Sequence, residues 1–395
     1  MWFFTHVWII PALMALSFLL ILLFGKKMPK KGAEIGIVFV GAAFVLALIT
    51  AGNWITWRDD PAETKYAALE EVDPDCSSVA AAEVEYGEKD GAKEAAVEGE
   101  GHSEGESHSE EGALAPVAGP VEGESAAPAS LGASSAAAAG GEEKEYSSPV
   151  ARCVTWFDNG DSSISIGTLV DGQSVLMLVV VTLISLLVHV FSTDYVHGDR
   201  RYTHYFAFLS LFTASMLFFV LSENTLQMIV GWELVGVCSF ALIGHWWEEK
   251  PNSDAALKAF LTNRVGDVGL LVGMIILYFA ADKSFSILDI NILANEGDIS
   301  HTLLLVASLC LITAVMSKSG QFILHTWLPD AMAGPTPVSA LIHAATMVVA
   351  GIFMVARLYP VFFEGLSIAG SSVNALSVVG AITALFGALL AIVQK

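Results

Sequence analysis

Residues 318–348 read KSGQFILHTWLPDAMAGPTPVSALIHAATMV. The stretch opens on Lys318, holds His325, Asp330 and His343, and has strongly apolar sequence on both sides. It also carries Gly320, Pro329, Gly334, Pro335 and Pro337, which one regular helix cannot accommodate, because a proline removes an amide donor and clashes with the turn before it. Broken backbone is tolerated at membrane depth only where it lines a protein-enclosed or wet cavity. The stretch therefore predicts a discontinuous membrane helix with ionisable groups at the break.

The surrounding chain agrees with a bilayer setting. Of 395 residues, 54% are hydrophobic, and apolar stretches long enough to span recur at about 5–24, 34–55, 173–193, 203–222, 225–246, 256–281, 302–328, 337–358 and 372–393. The reading is an all-α polytopic membrane protein. The first stretch is not a cleavable leader, since no basic residue precedes it and GKKMPKKG follows it directly.

A net charge of −22 is unusual for such a chain, but it is concentrated in one place. Between Asp59 and Glu145 there are 23 acidic and 4 basic residues, a net of −19, in a tract otherwise rich in Ala, Gly and Ser. Such composition cannot build a core, so residues 58–150 read as a disordered acidic insert between two N-terminal membrane helices (1–57) and the rest. His102 and His108 lie among its carboxylates without compact ligand spacing, and a solvated, self-repelling tract is the simpler reading. Residues 151–172 alternate briefly, in the manner of a small hairpin, and 173–395 form the main membrane domain.

Lys26, Lys27, Lys30 and Lys31 follow the first helix, and Arg200, Arg201 and Lys250 fall in later loops on the same side. The positive-inside rule makes that side cytoplasmic and places the N-terminus and the acidic insert outside, in the periplasm of a bacterial cell. Cys76 and Cys153 both lie in the outside segment, where an oxidising compartment permits a disulfide tying the insert's ends together; two free thiols are the alternative. Cys238 and Cys310 lie within helices.

Charges inside the predicted helices carry the functional signal. A charged side chain at the bilayer centre costs about 2.5–3.5 kcal/mol on insertion scales, so each needs a partner or a wet cavity. Glu233 lies mid-way along the fifth helix, flanked by Gly231 and Gly236, with no basic residue on that helix. Lys318 is its expected partner. Burial favours the neutral form of each group and pairing the charged form, so such a pair responds to nearby charge, as a proton relay requires. A static pin between helices is the competing reading.

Arg264 and Asp267 are i,i+3 neighbours on one face of the sixth helix and can satisfy each other locally, with a purely structural pair as the competing reading. Lys258, near that helix's cytoplasmic end, is a weaker candidate that could simply snorkel. His325 and Asp330 fall within the break, and His343, beyond the Pro-rich entry, can pass protons in either direction near neutrality. His189 reads as an interfacial or packed histidine.

These residues resemble the antiporter-like membrane subunits of respiratory complex I, the proton-pumping NADH:quinone oxidoreductase. The resemblance rests on GWELVGVCSFALIGHWW, ALKAFLTNRVGDVGLL and HTWLPDAMAGPTPVSALIHAATMVVAG, and is to the subunit L (chain 5) type rather than the M or N types. Mrp-type sodium/proton antiporter subunits are also similar, but generally carry a lysine where this chain reads MVVAG.

The resemblance implies an antiporter-like bundle built as two inverted repeats of five helices, of which this chain holds the first and the start of the second. It gives Glu233, Lys318 and His343 relay roles, with Arg264 and Asp267 as the charged pair of the sixth helix. It further implies an inner-membrane location beside other complex I membrane subunits, chiefly an adjacent antiporter-like subunit, within the lipid bilayer. No cofactor is expected in this chain, which shows no Gly-rich dinucleotide loop and no clustered cysteines; NADH, FMN, iron-sulfur clusters and quinone belong to partner subunits. Nothing points to nucleic acid. The acidic insert has no counterpart in the family pattern, and the chain stops where family members continue, so it is expected to be a fragment.

Overall fold

The computed structural model describes residues 2–58, 76, 149–158, 163–344, 346–367 and 374–393. The expected disorder of the acidic insert falls outside these residues. A helical turn, Trp2–Thr5, leads into α1 (Ile9–Phe24) and α2 (Ala33–Arg58). Two antiparallel strands follow, β1 (Val150–Asp158) and β2 (Ser163–Val170), so the chain is not exclusively helical. The remaining elements are α3 (Gly172–Tyr195), α4 (Tyr202–Val220), α5 (Thr225–Ile243), α6 (Lys250–Ala280), α7 (Ile287–Glu296), α8 (His301–Lys318), α9 (Trp327–Asp330), α10 (Thr336–Ala344), α11 (Met347–Arg357), α12 (Tyr359–Gly365) and α13 (Ala375–Val393). Among the described residues, nine helical spans are long and apolar enough to cross a membrane.

Helix α4 is central, with 14 of its 19 residues buried, whereas α13 buries none and stands at the edge. Lipid tails are as apolar as the side chains, so helices associate here through close backbone approach. Gly266, Gly269 and Gly273 form a stripe on α6 against α8; a Cβ at Gly273 would lie 2.8 Å from Leu311, and one at Gly269 would collide with Thr313 and the Cys310 carbonyl.

Local chemistry fixes the helix ends. Asp171 caps α3 by accepting from the Ser174 amide (2.8 Å), and Asn224 caps α5 by accepting from the Gln227 amide (2.7 Å). Asp171 also receives Arg357 (2.7 Å), which locks the end of α11 onto the start of α3. The hairpin is held by the α4–α5 turn. The Gln227 side-chain amide donates to the Gly167 carbonyl (3.0 Å) and accepts from its N–H (3.2 Å), and Leu169 N–H donates to the Leu221 carbonyl (3.0 Å). A disulfide joins Cys76 to Cys153 of β1.

Two long helices expected from hydropathy are interrupted. The 302–328 run stays helical only to Lys318, after which Gly320 (φ +58°) and Ile323 (φ +80°) turn the backbone away. The 337–358 run is divided at Thr346, whose hydroxyl donates to the Leu341 carbonyl (2.7 Å) and so occupies an acceptor in the last turn of α10. Helices α7 and α12, too short to span, were not anticipated.

Candidate functional site

The break after α8 creates the site, and its freed backbone groups are satisfied locally. The Ser319 and Gln321 amides donate to the Val315 and Met316 carbonyls (2.9 and 2.8 Å), and the Trp327 indole donates to the Ser317 carbonyl (2.8 Å). Ser319 Oγ ties the break to α11 through the Val348 carbonyl (2.7 Å), while the Phe322 amide donates to Thr383 of α13 (3.2 Å).

Lys318 is the last residue of α8, at the carbonyl end, where the helix dipole favours a cation. It is fully buried, and its ammonium has no hydrogen-bond partner among the described residues. Nζ lies 5.0 Å from the centre of the Trp232 ring, a cation–π arrangement, and a Cβ at Gly236 would lie only 3.0 Å from it. The expectation from sequence was a direct Glu233–Lys318 pair, with Arg264 and Asp267 satisfying each other. The structure redistributes these partners.

Arg264 reaches from α6 across to α5 and forms an ion pair with Glu233, standing 3.8 Å from Asp267. Asp267 instead accepts the Trp232 indole N–H at 2.6 Å. Asp267 and Glu233 are the carboxylates near enough to act electrostatically on the Lys318 ammonium. Sequence spacing shows neighbours within a helix, such as Arg264 and Asp267, but not which residue of a packed helix faces them, so the Arg264–Glu233 ion pair was not anticipated. Trp232 was missed as a site residue, although a mid-membrane indole N–H needs a partner and so carried a signal.

Burial is graded across the cluster. Lys318 is inaccessible, the Asp267 side chain is 5% exposed, Glu233 23% and Arg264 38%. One ion pair therefore reaches the bundle surface while the ammonium stays inside. His343 of α10 faces the Trp327 ring (6.2 Å between centres), with neither ring nitrogen hydrogen-bonded. Trp327 thus touches both the Lys318 turn and His343. His325 packs edge-on against Phe386 of α13 (4.8 Å). Lys258 and Asp330 meet each other at 2.6 Å, both about half exposed, away from the cluster. His189 is fully buried, with Nδ1 2.8 Å from the Ser185 carbonyl.

Comparisons with known proteins bear on the same residues. Residues 156–206 match the family model described as NADH-Ubiquinone oxidoreductase (complex I), chain 5 N-terminus, and residues 222–395 match NADH:quinone oxidoreductase/Mrp antiporter, TM. The NAD(P)H-quinone oxidoreductase chain 5 of Picosynechococcus sp. is 46% identical over 243 residues, 61% of this chain and 36% of that one. The chloroplastic subunit 5 of Angiopteris evecta is 49% identical over 245 residues, 61% of this chain and 31% of that one. The matched region thus spans about a third of the length of these curated relatives.

Among solved structures, an archaeal membrane-bound sulfane sulfur reductase aligns over 91% of this chain and 54% of its own, with a TM-score of 0.57 at 15% identity, a likeness of fold. The Mrp complex of Dietzia sp. aligns over 53% of this chain and 23% of its own, with a TM-score of 0.49 at 27% identity. The bundle, the broken helix and both matched regions agree: over residues 156–206 and 222–395 the chain is similar to the antiporter-like membrane subunits of NADH:quinone oxidoreductase and Mrp antiporters.

Proposed function

We propose that the parent protein is a proton-translocating membrane subunit of NADH:quinone oxidoreductase, in which Glu233, Arg264, Asp267, Lys318 and His343 carry the proton. The observation supporting this reading is the buried Lys318 ammonium, unbonded at a helix break and facing two carboxylates that share one guanidinium. Arg264 lies close to both Glu233 and Asp267, so a small shift of its head exchanges one partner for the other. Moving toward Asp267 weakens that carboxylate's hold on Lys318, favours loss of the lysine proton, and leaves Glu233 free to accept one. His343, across Trp327, is the onward acceptor.

Electron transfer from NADH to quinone through FMN and iron-sulfur clusters belongs to partner subunits in this reading. This chain's part is to respond to charge arriving from its neighbour, an adjacent antiporter-like subunit. The parent protein sits in the inner (cytoplasmic) membrane with the hairpin on the periplasmic side. The names of the relatives, all quinone oxidoreductases at 44–49% identity, favour this over an Mrp-type sodium/proton antiporter.

The test is proton pumping by the whole complex in liposomes. Glu233→Gln and Lys318→Ala should each abolish most NADH-driven acidification while a native gel shows the complex assembled. Normal pumping would remove the relay, failed assembly would favour a static pin, and sodium-driven exchange without NADH oxidation would favour the antiporter.

A further inference from the structure

We infer that the basic end of the bundle, opposite the hairpin, holds the headgroup of an anionic phospholipid, a phosphate diester, in a cavity between the α1–α2 and α3–α4 turns. The cavity measures about 550 Å³ and is lined by Lys26, Lys31, Arg200 and Arg201, with Glu248 as its sole carboxylate. Arg201 is already engaged: it pairs with Glu248, donates to the His245 carbonyl, and its guanidinium lies 3.7 Å over the exposed Trp247 ring. Lys26, Lys31 and Arg200 are exposed and have no ion-pair partner among the described residues. Three uncompensated cations thus converge on a space that already contains its one neutralised pair.

The cavity is built into the fold. Thr203 donates to the Lys31 carbonyl (3.0 Å), and its methyl group packs on Gly25, where a Cβ would approach to 2.7 Å. Lys31 is held at φ +51°, in the left-handed region that an L side chain rarely adopts, and Gly32 follows at +97°. This turn keeps the lysine loop beside Arg200.

Two features select a lipid over free phosphate. The cavity lies where candidate membrane spans end and begin, at Lys27, Ala33 and Tyr202, which is headgroup depth. A second cavity of about 620 Å³ adjoins it, sharing Lys31 and Tyr202; along α2 its wall passes from Glu34, with Lys30 and Lys31 beside it, to the apolar Ile37 and Val38. A headgroup phosphate held by the cations can therefore lay an acyl chain along α2.

The experiment is native mass spectrometry of the intact complex in detergent, titrated with phosphatidylglycerol, with phosphatidylcholine and with inorganic phosphate. Wild type should retain phosphatidylglycerol over phosphatidylcholine by about tenfold or more, and the preference should fall at high salt. In Lys26→Gln/Lys31→Gln/Arg200→Gln it should drop close to unity with the complex still assembled. A second variant, Val38→Asp, should weaken lipid retention while leaving the cations in place. Equal retention of both lipids, an unchanged preference in the triple variant, or inorganic phosphate displacing the lipid at comparable concentration would each overturn the assignment.

Discussion

Replacing Glu223 by glutamine should make docking of the β1–β2 hairpin independent of pH. Glu223, on the turn between α4 and α5, is 1% exposed, accepts the Ser165 hydroxyl of β2 (2.8 Å) and the Asn224 amide (2.8 Å), and lies near the Cys76–Cys153 disulfide. Burial, reinforced by the neighbouring charge of Asp289, outweighs these hydrogen bonds and raises its carboxyl from an ordinary 4.5 to about 7. The docked state therefore binds the proton more tightly than the undocked one. Its extra stability is fully present below pH 4.5 and is lost as pH rises through 7. The whole rise corresponds to about 3 kcal/mol, of which about 2.5 kcal/mol falls between pH 5 and 8, nearly a hundredfold in an opening equilibrium. Hydrogen exchange of the 163–170 segment in nanodiscs, expressed as protection relative to intrinsic exchange, reads that equilibrium directly. Wild-type protection should fall by that factor over the interval. Glu223→Gln, which keeps the shape of the neutral acid and one of its two acceptor oxygens but cannot ionise, should hold it level across the interval. A level wild-type profile, or a fall of equal size in the variant, refutes the reasoning.

Other perturbations separate packing from charge. Arg264→Gln should cost only about 1 kcal/mol in thermal stability, because the Glu233 pair is partly exposed, yet should reduce proton pumping as strongly as Glu233→Gln. Pumping close to wild type would free Arg264 from the relay. Gly269→Leu should prevent assembly on a native gel, since its side chain would enter the α8 backbone at Cys310. Cys153→Ser opens a disulfide spanning 77 residues of sequence and should destabilise the outer segment by about 4 kcal/mol, read as faster limited proteolysis under oxidising conditions.

The membrane helices were legible because hydropathy alone marks a segment that must satisfy its backbone internally. The break was legible too, since Gly320, Pro329, Gly334, Pro335 and Pro337 crowd into one apolar stretch. The division at Thr346 was not, because no glycine or proline announces it: the hydroxyl bond to Leu341 arises only once the helix is bent. Helix α7 was hidden for another reason. Its signals, a Ser286 cap and a left-handed Gly297 at φ +85°, are local and carry no long apolar run.

The partners within the charge cluster depend on helix packing, and here the difference from the sequence reading bears on mechanism. A static pin is best made from one cation and one anion in direct contact, with every donor satisfied. Instead, two carboxylates and two cations lie together so that Arg264 is near both carboxylates, Asp267 is held chiefly by a neutral indole, and Lys318 is held by none. The group is balanced as a set without being balanced pair by pair. Alternative pairings then differ by the motion of one side chain, Arg264, which is the most exposed of the four groups. In the proposed relay, a charge arriving at Arg264 would change the field at Lys318 without the lysine itself being exposed. The proposed relay would give a use to a feature that packing alone leaves unexplained, an ammonium at 0% exposure with no hydrogen bond among the described residues at the end of a broken helix.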